Sequence, residues 1–108
     1  KPTASGAFVS TVTDMAKWEK ELTTPTVLTQ ASLDLMWTRA PLNSGEAAQY
    51  GFGWALVLVN GTPEISHGGA LLGFRSFYGR YPKKYLSLVV LTNTYGADPK
   101  KIARAIAV

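Results

Sequence analysis

The sequence feature that most constrains the fold is a change of hydrophobic period at Tyr50. Bulky and small side chains alternate from this residue to Val59, which is the period of a β-strand with two unlike faces. Asn60-Gly61 follows directly, and this dipeptide favours the two-residue type I′ turn of a β-hairpin. We therefore predict that the second half of the chain forms an antiparallel sheet of three to four strands.

Turn signals mark the rest of this sheet. A return strand is predicted over about Glu64–His67 and a further strand over Phe74–Tyr81. The turns around these strands are predicted at a glycine bend and at a proline followed by two lysines, Gly68, Gly69, Gly73 and Pro82-Lys83-Lys84. The last strand, Tyr85–Thr92, is almost continuously apolar, so we expect both of its faces to be buried. Such a strand at a sheet edge indicates that its partner strands lie outside this chain.

Two helices are predicted before the sheet. Thr11 opens a T-x-x-D capping box, and the apolar spacing after it predicts a helix to about Leu22. Thr29 caps a second helix, and Leu28 and Leu33 occupy the two positions of a hydrophobic staple.

A third helix is predicted after the sheet. Asp98-Pro99 has the pattern of an N-cap followed by a proline in the first turn. Ile102, Ala105 and Ile106 are predicted to face inward. The predicted fold class is therefore α+β, with an antiparallel sheet flanked by helices in one domain of 108 residues.

Composition removes several classes of function. The chain has no Cys, which excludes disulfides and a cysteine nucleophile. It has a single His, which is too few for a zinc site. Neither a metal nor a cofactor is therefore predicted. The longest apolar run, Leu86–Leu91, is too short to span a bilayer. The net charge of +4 is scattered, and we interpret its small clusters as solvated surface, with no nucleic-acid partner. These clusters are Lys83-Lys84 and the group Lys100, Lys101 and Arg104.

No complete set of catalytic residues is present in the sequence. Neither Ser-x-x-Lys nor Tyr-x-Asn occurs, and Gly73-Phe74-Arg75-Ser76 has the wrong spacing for Gly-x-Ser-x-Gly. A triad of Ser66, His67 and Asp98 is disfavoured because adjacent strand residues point to opposite faces. The carboxylates form no pair that suits glycoside hydrolysis or a divalent cation.

One segment retains a pattern that could serve chemistry, Ser66-His67-Gly68-Gly69-Ala70. Glycine has no Cβ, so a ligand can approach the backbone closely at these positions. Backbone N–H groups beyond the glycines could donate to a carbonyl or an oxyanion. The alternative is a plain glycine bend with His67 as a partly exposed residue at the end of a strand.

Five segments in the same order resemble the family of class C β-lactamases, esterases of the β-lactamase fold and D-alanyl-D-alanine peptidases. They are Ser5–Trp18, Leu28–Trp37, Tyr50–Trp54, His67–Phe77 and Leu88–Asn93. By this resemblance, His67-Gly68-Gly69 corresponds to the motif on the strand that walls the active site. The first residue of the motif would line the pocket, and Ala70 would supply one backbone N–H of the oxyanion hole.

The chain also departs from the pattern of this family. His67 stands where many β-lactamases have Lys, and Gly68 lacks the hydroxyl that would bind a substrate carboxylate. Both departures favour the esterase and peptidase branch over β-lactam hydrolysis. The family's Ser-x-x-Lys and Tyr-x-Asn motifs, which lie in its N-terminal half, are absent from residues 1–108.

The resemblance implies a partial β-lactamase/transpeptidase-like fold that lacks its N-terminal half, with residues 1–108 as a single C-terminal fragment. The whole protein would be a periplasmic or secreted serine hydrolase acting on a small-molecule or peptide substrate, and this piece alone would be inactive. The alternative is a non-catalytic binding or interaction module derived from the same fold. Self-association through the open strand edge is a further expectation.

Overall fold

The computed structural model describes residues 6–108. Lys1–Ser5 lie outside the described part, and with them the first residue of the resembling segment Ser5–Trp18. Three α-helices and four β-strands follow the predicted order of elements. They are α1 (Val12–Thr23), α2 (Gln30–Met36), β1 (Ala55–Val59), β2 (Thr62–Leu71), β3 (Phe74–Tyr81), β4 (Leu86–Thr92) and α3 (Pro99–Ala107), with a short 3₁₀ turn at Pro82–Lys84.

The helices begin where the sequence predicts. The Thr11 hydroxyl accepts from the Asp14 N–H at 3.2 Å, and the Thr29 hydroxyl accepts from the Ser32 N–H at 3.1 Å. At α3 the Asp98 carboxylate accepts from the Lys101 N–H at 3.0 Å. Each of these bonds satisfies a backbone donor that the first helical turn leaves free.

The four strands form one antiparallel sheet in the order β1-β2-β3-β4. The predicted α+β class and antiparallel sheet are therefore confirmed. Asn60 and Gly61 have φ of 48° and 77°, which confirms the type I′ turn between β1 and β2. A second tight turn joins β2 to β3, where Leu72 and Gly73 have φ of 34° and 88°.

The predicted glycine bend is wrong at two of its three positions. Gly68 and Gly69 lie inside β2, where they pair with Phe77 and Ser76 of β3. The return strand therefore has 10 residues and ends at Leu71 instead of near His67. The physical reason is that the Leu72-Gly73 turn reverses the chain, so the earlier glycines remain free to continue the ladder.

Helices cover both faces of the sheet. Leu22 of α1 and Leu33 of α2 share a buried cluster with Trp54, Leu56 and Tyr78. Leu33 is a member of this cluster and Leu28 packs against it, so both predicted staple leucines contribute to the core. The third helix, α3, packs on the opposite face, against β3 and β4.

The predicted inward face of α3 is wrong. Its buried residues are Pro99, Ala103 and Ala107. All three residues predicted to face inward are exposed: Ala105, and Ile102 and Ile106 at 47% and 64%. Alanine has the smallest side chain that still fills space, so this face lets the helix backbone approach the sheet closely. The two isoleucines are left on the surface beside β4.

The last strand is less buried than predicted. Residues along β4 are mostly half-buried, and Leu91 is exposed. β4 is the edge of the sheet formed by residues 6–108, so its outer side has no neighbouring strand there. No helix within this range is long and apolar enough to cross a membrane.

Candidate functional site

His67 lies on the sheet face that carries α1 and α2. Its neighbour two residues earlier, Ile65, packs against the core beneath these helices, and alternate residues of a strand share a face. The His67 side chain is exposed and is hydrogen-bonded through Nε2 to the Tyr50 hydroxyl at 2.9 Å. The two rings meet edge to face, with centroids 6.0 Å apart.

Tyr50 is the residue of this site that sequence reasoning missed. The alternating pattern predicts one straight strand from Tyr50, but β1 begins only at Ala55. Because Ala55 pairs with Ser66, a straight strand would place Tyr50, five residues earlier, opposite Leu71, five residues later. The observed contact with His67 therefore depends on a departure from the predicted strand.

Two glycines cause this departure. A Cβ on Gly51 would lie 2.2 Å from the Met36 carbonyl oxygen, so only glycine permits this close approach to the end of α2. Gly53 has a φ of 78°, in the left-handed region that favours glycine. Two glycines within three residues are the signal that could have indicated a turn here instead of a strand.

The motif glycines have different surroundings. A Cβ on Gly69 would lie 2.4 Å from the Ser76 hydroxyl oxygen across the ladder, so the absence of a side chain makes room for Ser76. A Cβ on Gly68 would meet only the Ser76 carbonyl oxygen, at an ordinary 3.7 Å. The backbone of β2 is thus exposed at both positions, but only Gly69 is tightly constrained.

The Ala70 N–H points away from β3, as the register of the ladder shows. Residues opposite each other in antiparallel strands alternate between hydrogen-bonded and non-hydrogen-bonded pairs. The tight turn makes Leu71 and Phe74 a hydrogen-bonded pair, so the next pair, Ala70 and Arg75, is not bonded. The Arg75 carbonyl accepts from the Thr92 hydroxyl of β4 at 3.0 Å, which agrees with this orientation.

The Ala70 N–H consequently faces an open edge of β2. On that side β1 pairs with β2 only as far as Ser66, so no strand of residues 6–108 lies beside Ala70. The free edge opens into a groove of about 600 Å³. Its lining includes Tyr50, His67, Gly69, Ala70, Arg75 and Tyr95.

Ser66 and His67 point to opposite faces, as predicted. Ser66 is buried, and its hydroxyl donates to the Glu64 carboxylate at 2.9 Å. Asp98 is engaged as the N-cap of α3. The structure therefore does not bring Ser66, His67 and Asp98 together as a triad.

A buried carboxylate anchors β2 from the face opposite His67. Glu64 accepts hydrogen bonds from Tyr81 at 2.9 Å and from Arg104 of α3 at 2.7 and 3.0 Å, in addition to the bond from Ser66. Burial raises the pKa of the Glu64 carboxyl, but these bonds outweigh it, and the net pKa is lowered. Burial and the bond to Glu64 raise the pKa of Tyr81.

A second polar cluster lies beneath His67. Tyr78, which pairs with His67 across the ladder, donates its hydroxyl proton to Glu19 of α1. Arg80 also binds Glu19, at 2.9 Å, and lies over the Trp37 ring. Burial first, and then Glu19, raise the pKa of Tyr78, so its phenol is kept neutral. The two clusters join β3 to α1 and β2 to α3 through side-chain bonds.

No group of three or more His, Cys, Asp or Glu residues within the described range could hold a metal ion. Within that range the site consists of an imidazole, a phenol and backbone donors at an open strand edge. This arrangement can bind and polarise a carbonyl, since aligned N–H groups stabilise negative charge on oxygen.

The class of protein is defined by a family sequence profile that covers the whole chain. The profile of the Beta-lactamase family matches residues 1–108, and the chain belongs to this family. Penicillin-binding protein 4* of Bacillus subtilis (strain 168) is 29% identical over 92 residues, which cover 82% of this chain and 20% of that protein. The chain thus spans about a fifth of the length of this relative. It has no match of comparable significance among solved structures.

Proposed function

We propose that this chain is the C-terminal part of a serine hydrolase that cleaves a β-lactam, peptide or ester through an acyl-enzyme intermediate. Family membership and the matched fifth of a penicillin-binding protein support this proposal. The observation that carries it is the orientation of the Ala70 N–H, which faces an open edge beside His67 instead of bonding within the sheet.

The chemistry follows from this free donor. Attack of a serine on a carbonyl carbon creates an oxyanion, and a fixed N–H lowers the energy of that charge as it develops. A strand N–H is well suited because the sheet holds its direction. The nucleophile and its activating Lys and Tyr would come from outside residues 1–108, since Ser-x-x-Lys and Tyr-x-Asn are absent. The isolated chain is then inactive.

Gly68 bears on the class of substrate, because it lacks the hydroxyl that would bind a substrate carboxylate. The structure leaves ordinary space for a side chain there, so the missing hydroxyl is not a steric requirement of the fold. Without that hydroxyl, a substrate carboxylate loses a binding partner at this position. This favours an ester or peptide substrate over a β-lactam.

The missing N-terminal part of the domain is proposed to cover the open edge of β4. Main-chain groups on the outer side of this strand have no partner within residues 6–108. Ile102 and Ile106 are exposed on α3, which packs against β3 and β4. Unpaired strand edges and exposed isoleucines together suit a neighbouring strand and an apolar surface. The whole protein is proposed to be periplasmic or secreted, on the family resemblance alone.

Intact-mass measurement tests the proposed activity. The longer protein that contains this chain is incubated with penicillin or with a fluorophosphonate ester, and the 108-residue chain serves as the control. We expect one adduct on the longer protein and none on the chain. An adduct on the isolated chain contradicts the proposed division of the site.

A non-catalytic binding module is the second candidate. The groove of about 600 Å³ beside His67 supports it, because a groove of this kind would persist in a protein without a nucleophile. No adduct on the longer protein with either reagent would support this reading and overturn the hydrolase proposal.

A further inference from the structure

Tyr50 lies outside the His67–Ala70 motif but contacts its first residue. Its hydroxyl lies 2.9 Å from His67 Nε2, and within residues 6–108 the imidazole has no other hydrogen-bond partner. One bond therefore decides which ring nitrogen carries the proton, because the two nitrogens of a neutral imidazole have opposite roles.

The direction of this bond follows from the two groups. A phenol O–H is a stronger donor than the N–H of a neutral imidazole, and an imidazole nitrogen is a stronger acceptor than a phenol oxygen. The Tyr50 hydroxyl therefore donates to Nε2. The proton of the neutral ring then lies on Nδ1.

The backbone around Tyr50 holds it in this place. The Tyr50 carbonyl accepts from the Ala40 N–H at 2.9 Å, and the Gly51 N–H donates to the Trp54 carbonyl at 2.8 Å. The turn also depends on the close approach of the Gly51 backbone to the Met36 carbonyl and on the positive φ of Gly53. Main-chain bonds thus hold Tyr50 at the groove.

We propose that Tyr50 is a positioning residue, which fixes the His67 imidazole in one orientation and as the Nδ1–H tautomer. The contact between Tyr50 and His67 lies wholly within this chain. Only its effect on a reaction rests on the proposed function. In the neutral ring the Nδ1–H is then a donor that Tyr50 does not engage, whereas the family's Lys would place a positive charge at this position. A neutral donor suits the carbonyl or ester oxygen of a substrate better than a free carboxylate.

Nitrogen-15 spectroscopy of the imidazole tests the proposal on the chain itself. His67 is the single histidine, so its two ring signals are unambiguous. The spectra are recorded at about pH 8, where imidazoles are neutral. We expect an unprotonated Nε2 and a protonated Nδ1 as two well-separated signals. A proton on Nε2, or two averaged signals, overturns the proposal.

Three variants separate positioning from a general structural effect. Tyr50→Phe keeps the ring and removes only the donor, so we expect the separation of the two signals to be lost. Gly53→Ala keeps both side chains but strains the turn, and the same loss is expected. The control is Tyr85→Phe, a fully exposed tyrosine, which should leave the signals unchanged. Equal spectra for Tyr50→Phe and Tyr85→Phe also overturn the proposal.

Kinetics in the longer protein connect the contact to the reaction. Misplacing a catalytic-site group by about 1 Å can slow a reaction about a hundredfold, so Tyr50→Phe should slow acylation by up to that factor, with Tyr85→Phe unchanged. Acylation at the wild-type rate in Tyr50→Phe contradicts the role of Tyr50. Failure of the wild-type longer protein to be acylated contradicts the proposed hydrolase instead, and the spectra of this chain then decide on Tyr50.

Discussion

At the scale of single residues, the site depends on a glycine that has no side chain and on a backbone N–H that has no hydrogen-bond partner in the sheet. Gly69 leaves the space that the Ser76 hydroxyl occupies. Ala70 presents its N–H beyond the end of β1. A side chain or a proline at these neighbouring positions should therefore have separable effects on stability and on activity.

Gly69→Ala is expected to destabilise the fold by about 1 kcal/mol, because Ser76 must leave its present rotamer. The measurement is chemical denaturation, with Gly68→Ala as the control. Gly68 has room for a Cβ, so this control should be neutral or stabilising by up to about 1 kcal/mol. Adding Ser76→Ala to Gly69→Ala should recover most of the loss. Equal losses for the two glycine variants contradict the close-contact explanation.

Sequence patterns could place the motif residues but not their surroundings. His67, Gly68, Gly69 and Ala70 were predicted to act together, and the structure places all four along β2. Their catalytic and binding roles stay predictions. The Tyr50 contact was missed because alternation hides the turn at Gly51–Gly53, and the two glycines that indicate a turn do not indicate which residue Tyr50 contacts. That turn depends on the distant end of α2, which a local pattern does not contain.

At the scale of elements, the sheet is held by polar contacts that periodicity does not reveal. The sequence predicts the helix starts, both turn residues of the first hairpin and the span of β3. It fails on α3, where hydrophobicity points to Ile102 and Ile106 but close packing uses Ala103 and Ala107. Arg104, which we interpreted from sequence as solvated surface, instead binds the fully buried Glu64 side chain at 2.7 Å.

Arg104→Met is expected to lower the free energy of unfolding by about 3–5 kcal/mol, because it leaves a buried carboxylate unpaired. The measurement is denaturation at neutral pH, and the control is Lys100→Met, at an exposed position one turn earlier on α3. Replacing both partners, Glu64→Gln with Arg104→Met, should cost less than Arg104→Met alone. A single-variant loss no larger than that of Lys100→Met would show that the pair is unimportant.

Glu21 provides a pH-dependent link between α1 and the loop before α2. Its carboxylate accepts from the N–H groups of Leu28, Thr26 and Val27, and these bonds, with that from the Thr26 hydroxyl, lower its pKa to about 2. A carboxyl whose pKa is lower in the folded than in the unfolded state stabilises the fold at pH values above the unfolded pKa, about 4.3. This contribution is lost as the pH falls towards the folded-state pKa of about 2.

Glu21→Gln should therefore reduce stability at pH 7 and flatten the fall in stability between about pH 5 and pH 2. Thermal denaturation across this range is the measurement. Glu46→Gln is the control, since the Glu46 carboxylate has no partner in the described part of the chain. An unchanged slope in Glu21→Gln would show that the loop bonds do not form in solution.

At the scale of the whole molecule, two open strand edges have different proposed uses. The edge of β2 beyond Ser66 would receive substrate, and the outer edge of β4 would receive a strand from outside residues 1–108. Among residues 6–108 no strand pairs with the outer edge of β4. A second copy can then pair with it.

We expect sedimentation of the isolated chain to show concentration-dependent self-association. Leu91→Lys should abolish it, because Leu91 is exposed on β4 and an edge lysine opposes strand pairing. Leu72→Lys, at the exposed turn between β2 and β3, is the control and should still associate. A monomer at every concentration contradicts the open-edge interpretation.

The measurement that tests the central claim most directly is the acylation rate of the longer protein carrying Ala70→Pro. Proline removes the N–H that faces the open edge but none that bonds to β3, so the sheet should persist. We predict a rate lower by about a hundred- to a thousandfold, as expected for loss of one oxyanion donor. Gly68→Pro removes the other edge-facing N–H and should have a much smaller effect. A folded Ala70→Pro variant that is acylated as fast as Gly68→Pro would contradict the account.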